Sequence, residues 1–146
     1  MTDISFYQLT TTPREKTIPR LLEKAYEQGK RAVVLCDSEE ALKNYNSSLW
    51  TYAQSAFLPH GYLGDPQDQP IWLSQTADNV NGASVLVITT GQEVPNLSDY
   101  ERCVDIFDGN IPDELEAANK RRETYKAAGH TVNFWQQTPQ GAWVAA

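Results

Sequence analysis

The chain has 146 residues, 40% of them apolar and 10% aromatic, which suits one ordinary domain with a single buried core. Its 12 basic and 19 acidic side chains leave a net charge of -7, which repels a polyphosphate backbone at long range and disfavours direct nucleic-acid binding. No stretch approaches the roughly 18 apolar residues that span a bilayer, and the N-terminus lacks the basic run and apolar core of a secretory signal. The expectation is a soluble, cytoplasmic protein with one domain over residues 1–146.

In chain order, Asp3 to Leu9 alternates as a short aromatic-rich strand. Thr12 and Pro13 then offer a helix cap and a first-turn proline, and Ile18, Leu21, Leu22 and Ala25 keep helical spacing up to a stop at Gly29. Pro19 is an awkward guest in that helix and moves its expected start to Ile18. Arg31 to Cys36 is a continuous apolar run, the pattern of a strand buried on both faces, and Asp37-Ser38-Glu39-Glu40 opens the next helix with a cap and first-turn carboxylates. Three more strands are expected at Pro70 to Ser74, Ala83 to Thr90 and Arg102 to Phe107. Ile111-Pro112 starts a last helix that ends near Gly129, and Val132 to Gln137 with Ala142 to Val144 reads as a hairpin. Strands separated by helices imply an α/β fold, with a largely parallel central sheet flanked by at least three helices.

Such a sheet invites a nucleotide, but the turns lack the glycines of a phosphate cradle. The turn after the first strand reads TTTPREK, and the one after the second reads DSEEA, where carboxylates repel phosphate. The fold is thus nucleotide-binding-like without a phosphate loop, and no cofactor is expected. Asp37, Glu39 and Glu40 are either a capped helix start or part of a divalent-metal site, and no further ligand cluster accompanies them. Cys36 and Cys103 lie in apolar runs without metal-ligand spacing, as buried free thiols do. Cys36 and His60 are the one inviting nucleophile and base pair, and neither carries a recognisable partner motif. His130, after Gly129, reads as a capping or packing residue or, alternatively, as a general base. No catalytic residue and no metal site is assigned.

In the last helix Ile111, Leu115, Ala118 and Tyr125 fall on one arc that should face the sheet, with Arg122 inside it and Asn119 and Lys126 at its border. Lys120 to Lys126 holds four cations and Glu123, a +3 patch in an acidic chain. These cations either complement the helix dipole or form a basic groove walled by Tyr125, Phe134 and Trp135. Such a groove suits an acidic peptide that ends in a hydrophobic residue with a free carboxylate. Trp50 and Phe57 bracket a polar stretch before Leu58-Pro59-His60-Gly61, so they read either as core or as exposed interface anchors; Tyr52 reads as core.

Several separated segments carry a resemblance over almost the full length: ISFYQL, Gly29-Lys30-Arg31, Leu49-Trp50 with Phe57 to Gly61, Pro70 to Ser74, Asn81-Gly82-Ala83, Cys103 to Gly109, and AAGHTVNFWQQ. Together they resemble the chi subunit of bacterial DNA polymerase III holoenzyme. That resemblance implies a non-catalytic accessory subunit, a DNA polymerase III component that bridges the clamp-loader complex, usually through the psi subunit, to the acidic C-terminal tail of single-stranded DNA-binding protein. It also implies that Trp50 and Phe57 contact psi or the clamp loader, and that Lys120, Arg121, Arg122, Tyr125 and Lys126 form the tail-binding region. Arg122-Glu123 departs from the Tyr or Trp followed by a basic residue that members commonly carry. The rival expectation is a small nucleotide-binding or hydrolytic α/β enzyme on the same sheet.

Overall fold

The structure is a computed structural model and describes residues 2–51, 60–62, 65–89, 94, 96–140 and 142–145, without the side chains of Glu15 and Thr51. Alternation in the first segment gives β1 (Asp3–Leu9). Helix α1 (Arg14–Glu27) follows, then β2 (Ala32–Leu35), buried at all four positions. Helix α2 (Glu39–Thr51) starts with Glu39 and Glu40 in its first turn, and the Ser38 hydroxyl accepts from the Ala41 N–H at 3.1 Å as its cap. The short strands β3 (Ile71–Ser74) and β4 (Val85–Ile88) lead to β5 (Arg102–Asp108), α3 (Pro112–Ala127), β6 (Thr131–Gln137) and β7 (Trp143–Ala145).

The seven strands form one sheet in the order β3-β2-β4-β5-β1-β6-β7. Every pairing is parallel except β6 with β7. Helices α1 and α2 cover the face bearing Tyr7, Val34, Val87 and Ile106. On the other face α3 and the turn at Leu97–Asp99 cover Phe6, Leu35, Leu86 and Phe107. The expected α/β fold with a largely parallel sheet is the one formed, because each apolar strand needs cover on both faces.

Three local expectations are corrected. First, α1 begins at Arg14 and holds Pro19 inside it. The ring deletes one N–H early in the helix, while Ile18 and Leu22, both 1% exposed, bury the face that secures the helix on the sheet. Second, Thr12 is not the cap. Pro13 occupies that position, its carbonyl accepting from the N–H groups of Lys16 and Thr17. Third, Ile111 is the N-cap of α3 and 42% exposed, so the arc against the sheet consists of buried Ala118 and Tyr125 with partly buried Leu115. Helices α1 and α3 stop where expected, at Gly29 (φ 73) and Gly129 (φ 88), whose left-handed backbone favours glycine. Tyr52 and Phe57 lie outside the described residues, whereas Gly61, expected in a loop, makes an isolated parallel bridge with Trp72.

Candidate functional site

The basic end of α3 is divided by the sheet beneath it. Arg121 turns inward and donates through Nε and Nη2 to the two carboxylate oxygens of Asp105 at 2.8 and 2.9 Å. Asp105 on β5 is fully buried. Burial pushes its carboxyl above the usual carboxylate range, and the Arg121 guanidinium opposes that shift. The charge of Arg121 is therefore spent inside the fold. Arg122 lies over the Phe134 ring, with its guanidinium carbon 4.7 Å from the centroid. Its Nε is buried without a hydrogen-bond partner among the described residues. Lys120 and Lys126 point outward, Lys120 with Glu116 at 3.5 Å, and Glu123 is exposed beside them.

The expected groove walled by Tyr125, Phe134 and Trp135 does not form. Tyr125 and Phe134 are 7% and 8% exposed and belong to the core under α3, where Phe6 packs 6.0 Å from Tyr125 and 5.9 Å from Phe134. Alternation along β6 sends Trp135 to the opposite face, against the α1 side. The helix end is thus a patch of cations over a closed aromatic core. An acid inside the apolar run Cys103 to Phe107 was the available signal, because a buried carboxylate demands a cationic partner.

Trp50, at the end of α2, is 54% exposed and its ring stands 4.6 Å from that of His60. His60 is buried, with Nε2 3.1 Å from the Asn46 carbonyl oxygen. His130 packs at the start of β6, where its Nδ1 accepts from the Thr2 N–H at 3.2 Å. Burial is the main cause that pushes the thiols of Cys36 and Cys103 up to about 12, which disfavours the thiolate that nucleophilic catalysis needs. Among the described residues no group of three or more His, Cys, Asp or Glu could hold a metal ion, and no helix is long and apolar enough to cross a membrane.

Open parallel sheets commonly bind ligands beyond the carboxyl ends of their strands. In this chain the turn after β1 is occupied from within. The N–H groups of Thr10, Thr11 and Thr12, in the turn after β1, all donate to Gln137 Oε1 at 3.1, 3.0 and 3.1 Å. The amide nitrogen of Gln137 donates in turn to Thr12 Oγ1 at 2.8 Å. Gln137 is 5% exposed, so one side-chain oxygen engages the converging donors that a phosphate cradle would offer. Sequence reasoning missed this plug, because its partners lie 125 to 127 residues apart.

A pocket of ≈ 310 Å³ lies instead between α1 and the sheet. Tyr7, Trp135 and Trp143 line it together with Leu21, Val85 and Val104, and three cations, Lys24, Lys30 and Arg102, complete it. Tyr7 is buried, Lys24 and Arg102 are exposed, and the Tyr7 and Trp143 rings meet edge to face at 5.0 Å. Arg102 Nη2 donates to Tyr7 Oη at 3.1 Å and more weakly to Ser5 Oγ at 3.4 Å. Both acceptors are neutral, and among the described residues none of the three cations forms an ion pair.

A family model described as DNA polymerase III chi subunit, HolC, matches residues 1–133. The probable DNA polymerase III subunit chi of Rickettsia prowazekii is 29% identical over 150 residues, covering 98% of this chain and 91% of that protein. The DNA polymerase III subunit chi of Pseudomonas aeruginosa is 23% identical over 135 residues, covering 90% and 94% of the two chains. In fold, the chain is similar to the C-terminal domain of the DEAD-box protein Dbp5, with a TM-score of 0.53 at 8% identity over 92% of this chain and 90% of that one.

Proposed function

The chain belongs to the DNA polymerase III chi subunit family, and on that premise we propose that it is a non-catalytic adaptor of the replicative polymerase. One surface receives the clamp-loader complex, through psi where that subunit exists, and another receives the acidic C-terminal tail of single-stranded DNA-binding protein. The carrying observation is the separation of the two candidate surfaces. Trp50 ends α2, which packs beside β3, whereas Lys120, Arg122 and Lys126 project from α3, which packs on the other face over β5 and β6. Two partners can therefore be held at once without competing. Half-exposed Trp50 offers a large apolar area for a partner to bury, and Phe57 is assigned to the same contact. Arg121 and Tyr125 act from below the tail surface, as the buried ion pair and ring that hold α3 in place. The Gln137 plug and the absence of a thiolate-forming cysteine weigh against the rival enzyme reading.

The test is a fluorescence-anisotropy titration with a labelled acidic C-terminal peptide of the organism's own single-stranded DNA-binding protein, beside a copy lacking its last residue. Binding should saturate, weaken with added salt and weaken in Lys126→Ala and Arg122→Ala. Trp50→Ala should keep tail affinity while weakening clamp-loader association. Absence of tail binding at low salt removes the bridging role.

A further inference from the structure

We propose that the pocket between α1 and the sheet is a binding site for a small organic carboxylate with an aromatic body. The rings of such a molecule pack among Tyr7, Trp135 and Trp143, and its carboxylate pairs with exposed Arg102. The site stands apart from the adaptor reading, since neither Trp50 nor any residue of α3 lines it.

The pocket follows from the local sequence. Tyr7 on β1, Val87 on β4, Val104 on β5 and Trp135 on β6 lie on the face of the sheet that α1 covers. Above them the buried stripe of α1 begins with Ile18 and Leu22, both 1% exposed, and thins at Ala25 and Gln28. The last turn of the helix thus carries a methyl group where a large side chain would reach the floor, and a gap of ≈ 310 Å³ is left. That is the small end of ligand pockets, which run from about 300 to 1,000 Å³, and it suits a compact ring system. Trp135 and Trp143 are only partly buried, so a ligand has ring surface to cover. Both lie beyond residue 133, where the family match ends.

Charge selects the head group. Among the described residues no acidic side chain lines the pocket, and none of Lys24, Lys30 and Arg102 forms an ion pair. Three uncompensated cations beside apolar walls attract an anion locally, although the chain as a whole carries -7. Arg102 shares the α1 face of β5 with Val104, and its side chain runs along the sheet until Nη2 donates to Tyr7 Oη at 3.1 Å. The phenol steadies one arm of the guanidinium, and the remaining N–H donors form a planar fork that matches a carboxylate. Phosphate is the poorer fit, because it favours the N–H groups of a helix N-terminus, and α1 turns its last residues to the pocket. Lys24 and Lys30 offset the partial negative charge of that helix end.

The experiment titrates the isotope-labelled full chain with naphthaleneacetate and follows the indole N–H signals of its four tryptophans by NMR. Naphthylmethylamine, with the same rings and the opposite charge, and acetate, with no rings, serve as controls. Naphthaleneacetate should saturate and shift the signals of Trp135 and Trp143, while Trp50 and Trp72, which do not line the pocket, stay in place. The amine and acetate should each bind at least about tenfold more weakly. Arg102→Gln should weaken naphthaleneacetate by about tenfold or more, as the loss of a charged hydrogen bond does, and narrow its advantage over the amine. Ala25→Leu fills the gap without removing a charge and should abolish binding; native circular dichroism checks both variants. Equal binding of acid and amine, or unchanged affinity in Arg102→Gln, overturns the site. A titration that shifts no tryptophan signal, or only those of Trp50 and Trp72, overturns it as well.

Discussion

In the turn after β1, donors that could hold an anion are engaged by the protein itself, whereas at the amino-terminal edge three cations have no acidic partner among the described residues. Gln137 accepts from three backbone N–H groups after β1, and one layer away Arg121 is spent on Asp105. Arg102, Lys24 and Lys30, by contrast, surround an aromatic pocket with no acidic partner among the described residues. Consumed donors should therefore reveal themselves in stability, and open donors in binding. The turn after β1, where such folds can take a phosphate, has become structural.

The largest effect that would sharpen this contrast is expected at Arg121. Replacement by Ala strands a fully buried carboxylate and should cost about 3–5 kcal/mol in urea denaturation, whereas joint replacement of Asp105 and Arg121 by Leu should recover most of that loss. The deficit of Arg121→Ala should shrink on acidification. Burial raises the Asp105 carboxyl above the ordinary range, so the stability of its neutral form is complete below the unfolded value of about 3.9 and is lost as pH rises through the folded value. Removing the guanidinium moves that loss to higher pH. A pH-independent deficit would contradict the assignment.

Gln137→Ala should cost about 2 kcal/mol, because three N–H groups lose their acceptor at once. Sulfate should then raise the Tm of this variant by more than it raises that of the wild type; an equal rise in both would break the contrast between filled and open donors. The smallest effects belong to the open side. Arg102→Ala and Trp50→Ala should each change stability by no more than about 0.5 to 1 kcal/mol, since both side chains project into solvent. A larger loss in Arg102→Ala would mean that its contacts with Tyr7 and Ser5 are structural in the way that those of Gln137 are.

The elements were legible in the sequence because their signals are local. The apolar run before Cys36, the serine ahead of Glu39 and the glycines after α1 and α3 each act within a few residues, and strand-helix alternation leaves few sheets to choose from. The resemblance to chi was legible for the same reason, being carried by ordered short segments. Pro19 was misread because its local cost is real but small beside the burial of Ile18 and Leu22. The site was only half legible. Four cations near the end of α3 are countable in the sequence, but which of them faces water depends on Asp105, sixteen positions away on β5.

By itself, then, the sequence determined the order of strands and helices, the parallel sheet that follows from that order, and the family. Tertiary structure decided which charges remain free: it withdrew Arg121 into the core, sent Trp135 and Phe134 to opposite faces of one strand, filled the turn after β1 with a side chain from β6, and left Arg102 beside an open pocket. The physical reason is that secondary structure is selected by backbone periodicity over short spans. The availability of a charge, in contrast, is set by whatever the fold brings within a few ångströms of it.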